Sequence, residues 1–244
     1  MVKIPFNLDI HNLIDDLRNF SWEASEILLY YSKILKEDGN KNRIIKTKNG
    51  EDPVTSADLE VNELLIRRIN EKYKNVNWGI TSEENVKFNK DIFRNSFDWE
   101  WILDPLDGTK DFIQGTSNYA MHLALNYKNK PYLGIVLIPE KNELWISDGK
   151  NVRCERRDGS LHQLLNPKDK SISEMTFVCS KNNRNKTLEK LVEKLNFKKV
   201  NFMGSIGCKI ASIIRGDSDI YICLSLPDKS CPKDWDFAAP EAIL

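Results

Sequence analysis

The chain has 244 residues, with Lys+Arg and Asp+Glu balanced at 36 each and a formal net charge of zero. That length allows one large domain or two small ones around a substantial buried core. The charge balance supplies no global field for a nucleic acid polymer or for stable membrane binding.

The five cysteines, Cys154, Cys179, Cys208, Cys223 and Cys231, are scattered and never spaced C-x-x-C. This argues against a disulfide framework or a zinc site and fits a reducing compartment. Residues 1–9 lack the apolar core and cleavage site of a leader, and no later run approaches membrane-spanning length. A soluble, cytoplasmic protein is expected.

In chain order, Leu13, Ile14, Leu17, Phe20, Ala24, Ile27, Leu28, Tyr31 and Leu35 recur at steps of three and four, predicting a long amphipathic helix over 10–36. Residues 38–51 read as a polar loop whose lysines and Arg43 suit solvent or a phosphate. In Asp52-Pro53-Val54-Thr55-Ser56-Ala57-Asp58, Thr55 or Ser56 is positioned to cap a second helix, with buried face Val61, Leu64, Leu65 and Ile69. On local grounds Asp58 is explained by helix-start electrostatics.

A short strand over 77–81 runs into Ser82-Glu83-Glu84, and an aromatic-rich strand from Trp99 runs into Asp104-Pro105-Leu106-Asp107-Gly108-Thr109. Strands over 119–127, 132–138 and 143–147, with turns at 129–131 and 139–142, predict an antiparallel meander, and Asp158-Gly159 marks a hairpin within 152–163. From about residue 166 the rhythm changes to strand 175–179, helix 186–195, strand 199–203, helix 206–214, strand 220–224 and an acid-started helix at the end. Two lobes of one compact unit are expected, 1–150 and 151–244.

Two strands thus deliver carboxylates from their ends. Acids held close together repel and raise one another's pKa, so Glu83, Asp104 and Asp107, with the Leu106 carbonyl, are candidate ligands for a hard divalent cation, Mg²⁺ or Mn²⁺. Gly108 lets backbone N–H groups approach an anion, and the Thr109 hydroxyl can orient a water. The chemistry this set describes is metal-assisted phosphate hydrolysis without a covalent nucleophile. His11, His122 and His162 stand on separate segments with no catalytic grouping and are read as surface or packing residues.

Four segments in order, Asp52-Pro53-Val54-Thr55-Ser56-Ala57-Asp58, Ser82-Glu83-Glu84, Asp104-Pro105-Leu106-Asp107-Gly108-Thr109-Lys110-Asp111-Phe112 and Trp235-Asp236-Phe237-Ala238-Ala239, resemble the inositol monophosphatase superfamily of magnesium-dependent phosphatases. The resemblance implies an α/β (mixed α+β), layered α/β/α/β sugar-phosphatase-like fold. It implies two or three Mg²⁺ ions, with Glu83, Asp104, Leu106 and Asp107 in the metal shell and Asp236 joining from the far lobe. It also pairs Asp58 with Thr109 to polarise the attacking water, and assigns the phosphate to Gly108 and Thr109.

Leu106 and Lys110 tilt the resemblance towards the 3′(2′),5′-bisphosphate nucleotidases, whose implied substrate is adenosine 3′,5′-bisphosphate, a by-product of sulfur metabolism. An inositol-1-phosphatase and a non-catalytic metal- and phosphate-binding member are the alternatives. Ser205 and Lys209 resemble the Gly-Ser and following Lys of the nucleotidases' substrate side, and a helix cap with a solvated lysine explains them equally. Members of the superfamily continue past the Trp-Asp helix, whereas this chain stops at Leu244: either the sequence is a truncated version, with the apolar end of the last helix and a strand edge then exposed, or this member closes its second lobe differently.

Overall fold

The computed structural model describes residues 4–5, 8–37, 44–46, 53–88, 97–164, 169–181, 186–224 and 232–244. Asp52, Arg43, Cys231 and most of the polar 38–51 stretch lie outside the described residues. The elements are α1 (Ile10–Glu37), β1 (Ile45–Lys46), β2 (Val54–Thr55), α2 (Ser56–Lys72), β3 (Gly79–Ser82), α3 (Glu83–Phe88), β4 (Trp99–Asp107), α4 (Thr109–Ile113), β5 (Ala120–Tyr127) and β6 (Lys130–Ile138). They continue with β7 (Glu143–Ser147), β8 (Val152–Glu155), β9 (Leu161–His162), β10 (Thr176–Ser180), α5 (Lys186–Leu195), β11 (Lys199–Met203), α6 (Ile206–Ile214), β12 (Ile220–Tyr221) and α7 (Asp234–Ile243).

The long helix forms where its apolar stripe predicts it, and Ser21, Ser25 and Ser32 complete its buried face. Thr55 caps α2: its hydroxyl accepts from the N–H groups of Ala57 and Asp58, while Asp58 accepts from the Thr55 N–H, a reciprocal capping box. The turn expected at 129–131 is instead a two-residue turn at Lys128 and Asn129, with φ of 49° and 62°. Positive φ at both positions matches the right-handed strand twist, so Lys130 and Pro131 are already in β6. β12 is two residues long where five were expected.

A seven-stranded sheet has the order β3-β4-β5-β6-β7-β8-β9, with β3 parallel to β4 and every later pair antiparallel. Side chains alternate between its faces. Trp101, Leu103, Met121, Leu123, Leu125, Ile135 and Leu137 pack towards α1 and α2, whereas Ile102, Ala120, Ala124, Val136, Ile138 and Trp145 pack towards α6 and α7. Because both faces are covered, these strands read in sequence as nearly continuous apolar runs.

The second sheet is parallel, in the order β11-β10-β12. Its two crossovers step in opposite directions from β10 and β11, and right-handed connections therefore put α5 and α6 on opposite faces. The layers run α1/α2, large sheet, α6/α7, small sheet, α5. The large sheet closes at His162 and the small one opens at Thr176. Because α6 and α7 lie against the large sheet, the last third of the chain is packed onto the middle third.

The fit of α7 on β6 depends on Gly134, where a Cβ would come 2.5 Å from Ala242 Cβ and 2.9 Å from the Ala239 carbonyl oxygen. At the end of α7, Ile243 is buried and Leu244 is 70% exposed. Among the described residues no helix is long and apolar enough to cross a membrane.

Candidate metal and phosphate site

The site begins with an irregularity in β4. Asp104 pairs with His122 and Asp107 with Ala120, so three steps along β4 match two along β5. In a regular strand residues three apart point to opposite faces. The extra residue is a bulge at Pro105-Leu106, where proline has no N–H to give to the ladder, and it turns both acids towards α6 and α7. Leu106 stays in the core on the opposite face.

The chain then turns through Gly108 at φ 89°, where a Cβ would sit 3.0 Å from the Asn118 carbonyl oxygen and 3.1 Å from Ser205 Cβ. Thr109 opens α4 and its hydroxyl donates to the Leu106 carbonyl at 3.0 Å.

Asp236 arrives on the first turn of α7, and ligand oxygens of Asp104, Asp107 and Asp236 all lie within 4.8 Å of one another. Glu83, the first residue of α3, completes the group by sharing a hydrogen bond with Asp104. A cleft of about 170 Å³ is lined by Glu83, Asp104, Leu106, Asp107, Gly108, Thr109, Lys110 and Asp236, together with Pro53, Lys87, Ser180 and Gly204.

The acids differ sharply in environment. Burial, then the charges of Glu83, Asp107 and Asp236, push Asp104 far above the usual carboxylate range. Burial also works against ionised Asp107, but His122, Lys209 and the Ser205 hydroxyl outweigh it and hold Asp107 below its usual range. Asp107 Oδ2 accepts from Ser205 Oγ at 2.7 Å and from the Gly207 N–H at 3.1 Å, and His122 Nε2 lies 3.2 Å away. Burial and the Asp107 charge raise Asp236 to about 6, against a hydrogen bond from the Lys233 N–H.

Three of the sequence-derived residues do not line the cleft. Asp58 is buried behind its cap, with Oδ2 accepting from Thr55 Oγ1 at 2.6 Å and Thr55 N at 2.8 Å. Desolvation first, then the charges of Glu84 and Glu83, raise it to about 7 against those hydrogen bonds. Ser205 caps α6 and holds Asp107. Lys209 is 1% exposed, donates to the Gly204 carbonyl at 2.8 Å and lies 5.1 Å from the Tyr221 ring centre.

Two residues were not singled out from sequence. His122 is fully buried, with Nδ1 3.3 Å from the Trp235 carbonyl oxygen and Nε2 facing Asp107, so it bridges the metal loop and α7. A histidine inside the apolar run of β5 was the available signal. Lys87 reaches Glu83 at 2.8 Å and Glu84 at 3.3 Å. Its spacing of four from Glu83 becomes meaningful once α3 is known to be a helix.

The donor set fits a hard cation: three carboxylates converge, Glu83 and Leu106 line the same cleft, and Asp104 has acids as its charged neighbours. Bisected by a sheet bulge and completed from a helix on the far side of the fold, this is the constellation of a metal-dependent phosphatase of layered α/β architecture.

Residues 12–244 match the model of the inositol monophosphatase family, and the chain belongs to that family. The 3′(2′),5′-bisphosphate nucleotidase CysQ of Buchnera aphidicola is 28% identical over 194 residues, covering 79% of this chain and 68% of that protein. CysQ of Aggregatibacter actinomycetemcomitans is 25% identical over 243 residues, covering 96% of this chain and 81% of that protein. The fold matches that of inositol monophosphatase-II from Staphylococcus aureus with a TM-score of 0.70 at 20% identity, covering 95% of this chain and 78% of the other. The family consists of metal-dependent phosphatases acting on small phosphorylated substrates.

Proposed function

We propose that this chain is a Mg²⁺-dependent phosphomonoesterase that hydrolyses the 3′-phosphate of adenosine 3′,5′-bisphosphate to AMP and phosphate. The observation that carries the phosphatase chemistry is the convergence of Asp104, Asp107 and Asp236 within 4.8 Å. The choice of substrate rests on the similarity to nucleotidases named CysQ and on Lys110 at the lip of the cleft.

In this reading Glu83, Asp104, Asp107, Asp236 and the Leu106 carbonyl hold the metal. Bound divalent ions lower the pKa of a water and neutralise charge on the leaving oxygen. By the family resemblance Thr109 and Asp58 would polarise that water, Thr109 from the cleft lining and Asp58 from behind it. Asp58 is raised to about 7 and has Oδ2 engaged by Thr55. Backbone N–H groups of Gly108 and Thr109 and the Lys110 ammonium meet the phosphate. Ser205 and Lys209 shape the substrate side through the groups they hold, Asp107 and Gly204.

The test is phosphate release with Mg²⁺ from adenosine 3′,5′-bisphosphate and from inositol 1-phosphate, side by side. A faster rate on the nucleotide is expected, and the reverse order assigns the chain to the inositol phosphatases. Ligand-induced thermal stabilisation with no turnover on either substrate identifies a non-catalytic member.

A further inference from the structure

Lys87 is a cation of the cleft wall that reaches the acid cluster through Glu83. It sits on the last turn of α3, four residues after Glu83 and three after Glu84, and its ammonium lies 2.8 Å from Glu83 Oε1 and 3.3 Å from Glu84 Oε1. The side chain is 28% exposed and lines the same cleft as Asp104, Asp107 and Asp236.

Glu83 therefore has two competing partners. It shares a hydrogen bond with Asp104 on one side and takes an ammonium on the other. A divalent ion drawn to the carboxylates must enter a site in which one ligand is already neutralised by a tethered positive charge. Like charges a few ångströms apart repel, and the repulsion is strongest where burial lowers the effective dielectric.

We infer that Lys87 is a built-in counter-cation of the metal site: it holds Glu83 in the metal-free protein and competes with the divalent ion for it, so that it sets the concentration at which the site loads. Lys87 is thus a positioning residue that acts through Glu83, and the inference rests on the reading of the acid cluster as a metal site. It is independent of which phosphorylated substrate is hydrolysed.

Calorimetric titration of the metal-free full chain with MgCl₂ and with MnCl₂, without substrate, tests it. Lys87→Met is expected to bind either ion at least about fivefold more tightly, the scale set by removing one unit charge beside a divalent ion in a partly hydrated site. Lys87→Arg retains the charge and is expected to stay within about twofold of wild type. The melting temperature of metal-free Lys87→Met should fall while that of the loaded variant does not. Lys87→Gln, which keeps a hydrogen-bond donor, serves as the second neutral variant should Lys87→Met not fold.

Unchanged or weaker metal binding by a folded neutral variant overturns the inference. So does a raised KM for substrate at unchanged metal affinity, because that result makes Lys87 a substrate anchor. A wild-type chain that takes up neither ion overturns the metal-site reading and this inference together, whereas a wild type that binds alongside a neutral variant that gains nothing overturns this inference alone.

Discussion

Two carboxylate clusters in this protein have opposite constructions. Glu140, in the turn after β6, is partly buried against α1 and Tyr119, and its Oε1 accepts from Lys36 Nζ at 2.5 Å, Ser32 Oγ at 2.6 Å and Tyr119 OH at 3.2 Å. Burial pushes Glu140 up, and those donors bring it below its usual range. Asp104, at the bulge of β4, is more deeply buried and is faced by Glu83, Asp107 and Asp236, so burial and charge push it in the same direction. A carboxylate surrounded by donors fastens a helix to a sheet. One surrounded by acids stores repulsion that a bound cation relieves.

That contrast is most directly broken by removing its centre. Asp104→Asn is expected to lower phosphate release by at least about 100-fold, beyond the usual effect of disturbing residues behind a metal ligand, while raising the melting temperature of the metal-free protein by removing repulsion. Turnover within a few-fold of wild type would place the chemistry elsewhere.

Gly134→Ala probes how far the acid site depends on packing remote from it. The added methyl meets Ala242 and the Ala239 backbone, and overpacking of this kind costs about 1–3 kcal/mol. Thermal unfolding should shift down by about 2–4 °C per kcal/mol for a chain of this size. Activity should fall as well, since the helix displaced is the one that carries Asp236.

Glu140→Gln tests the other cluster. Loss of its charge beside Lys36 should cost about 1 kcal/mol in chemical denaturation and leave kcat unchanged. A large effect on kcat would erase the distinction between fastening and functional acids.

A further expected effect is a slope with pH. Asp58 has a native value of about 7 against 3.8 for an ordinary aspartate, so the folded chain binds the extra proton between those values. Its favourable contribution is full below about pH 4 and is lost as the pH rises through about 7. With chelator present, the melting temperature should therefore decline across that window. Asp58→Asn, which can still accept from Thr55, should flatten the decline, and an unchanged slope would show that Asp58 is not the group responsible.

Periodicity was enough to read most of the fold. Helices 186–195 and 206–214 and strand 199–203 occur at the expected residues, and the meander after Asp104 forms in the expected order. The short helices α3 and α4, of 6 and 5 residues, escaped because one turn and a half carries too little apolar periodicity to be distinguished from a loop. With α3 unrecognised, Lys87 had no face to share with Glu83. The expected turn at 129–131 was displaced because the two-residue hairpin needs left-handed backbone at 128 and 129 rather than a proline.

By itself the sequence determined most of the elements, the order of the acids along the chain and the family motifs, since these depend on neighbours two to four residues apart. The tertiary structure decided which acids meet and what each of them feels. Asp107 is held by Ser205, 98 residues away, and Asp236 reaches the bulge only because α7 packs across β6 on Gly134. Asp104 and Asp107 look alike in the motif, yet one is pushed up and the other held down. The difference lies in the long-range partners that the fold sets against each carboxylate, which no local pattern encodes.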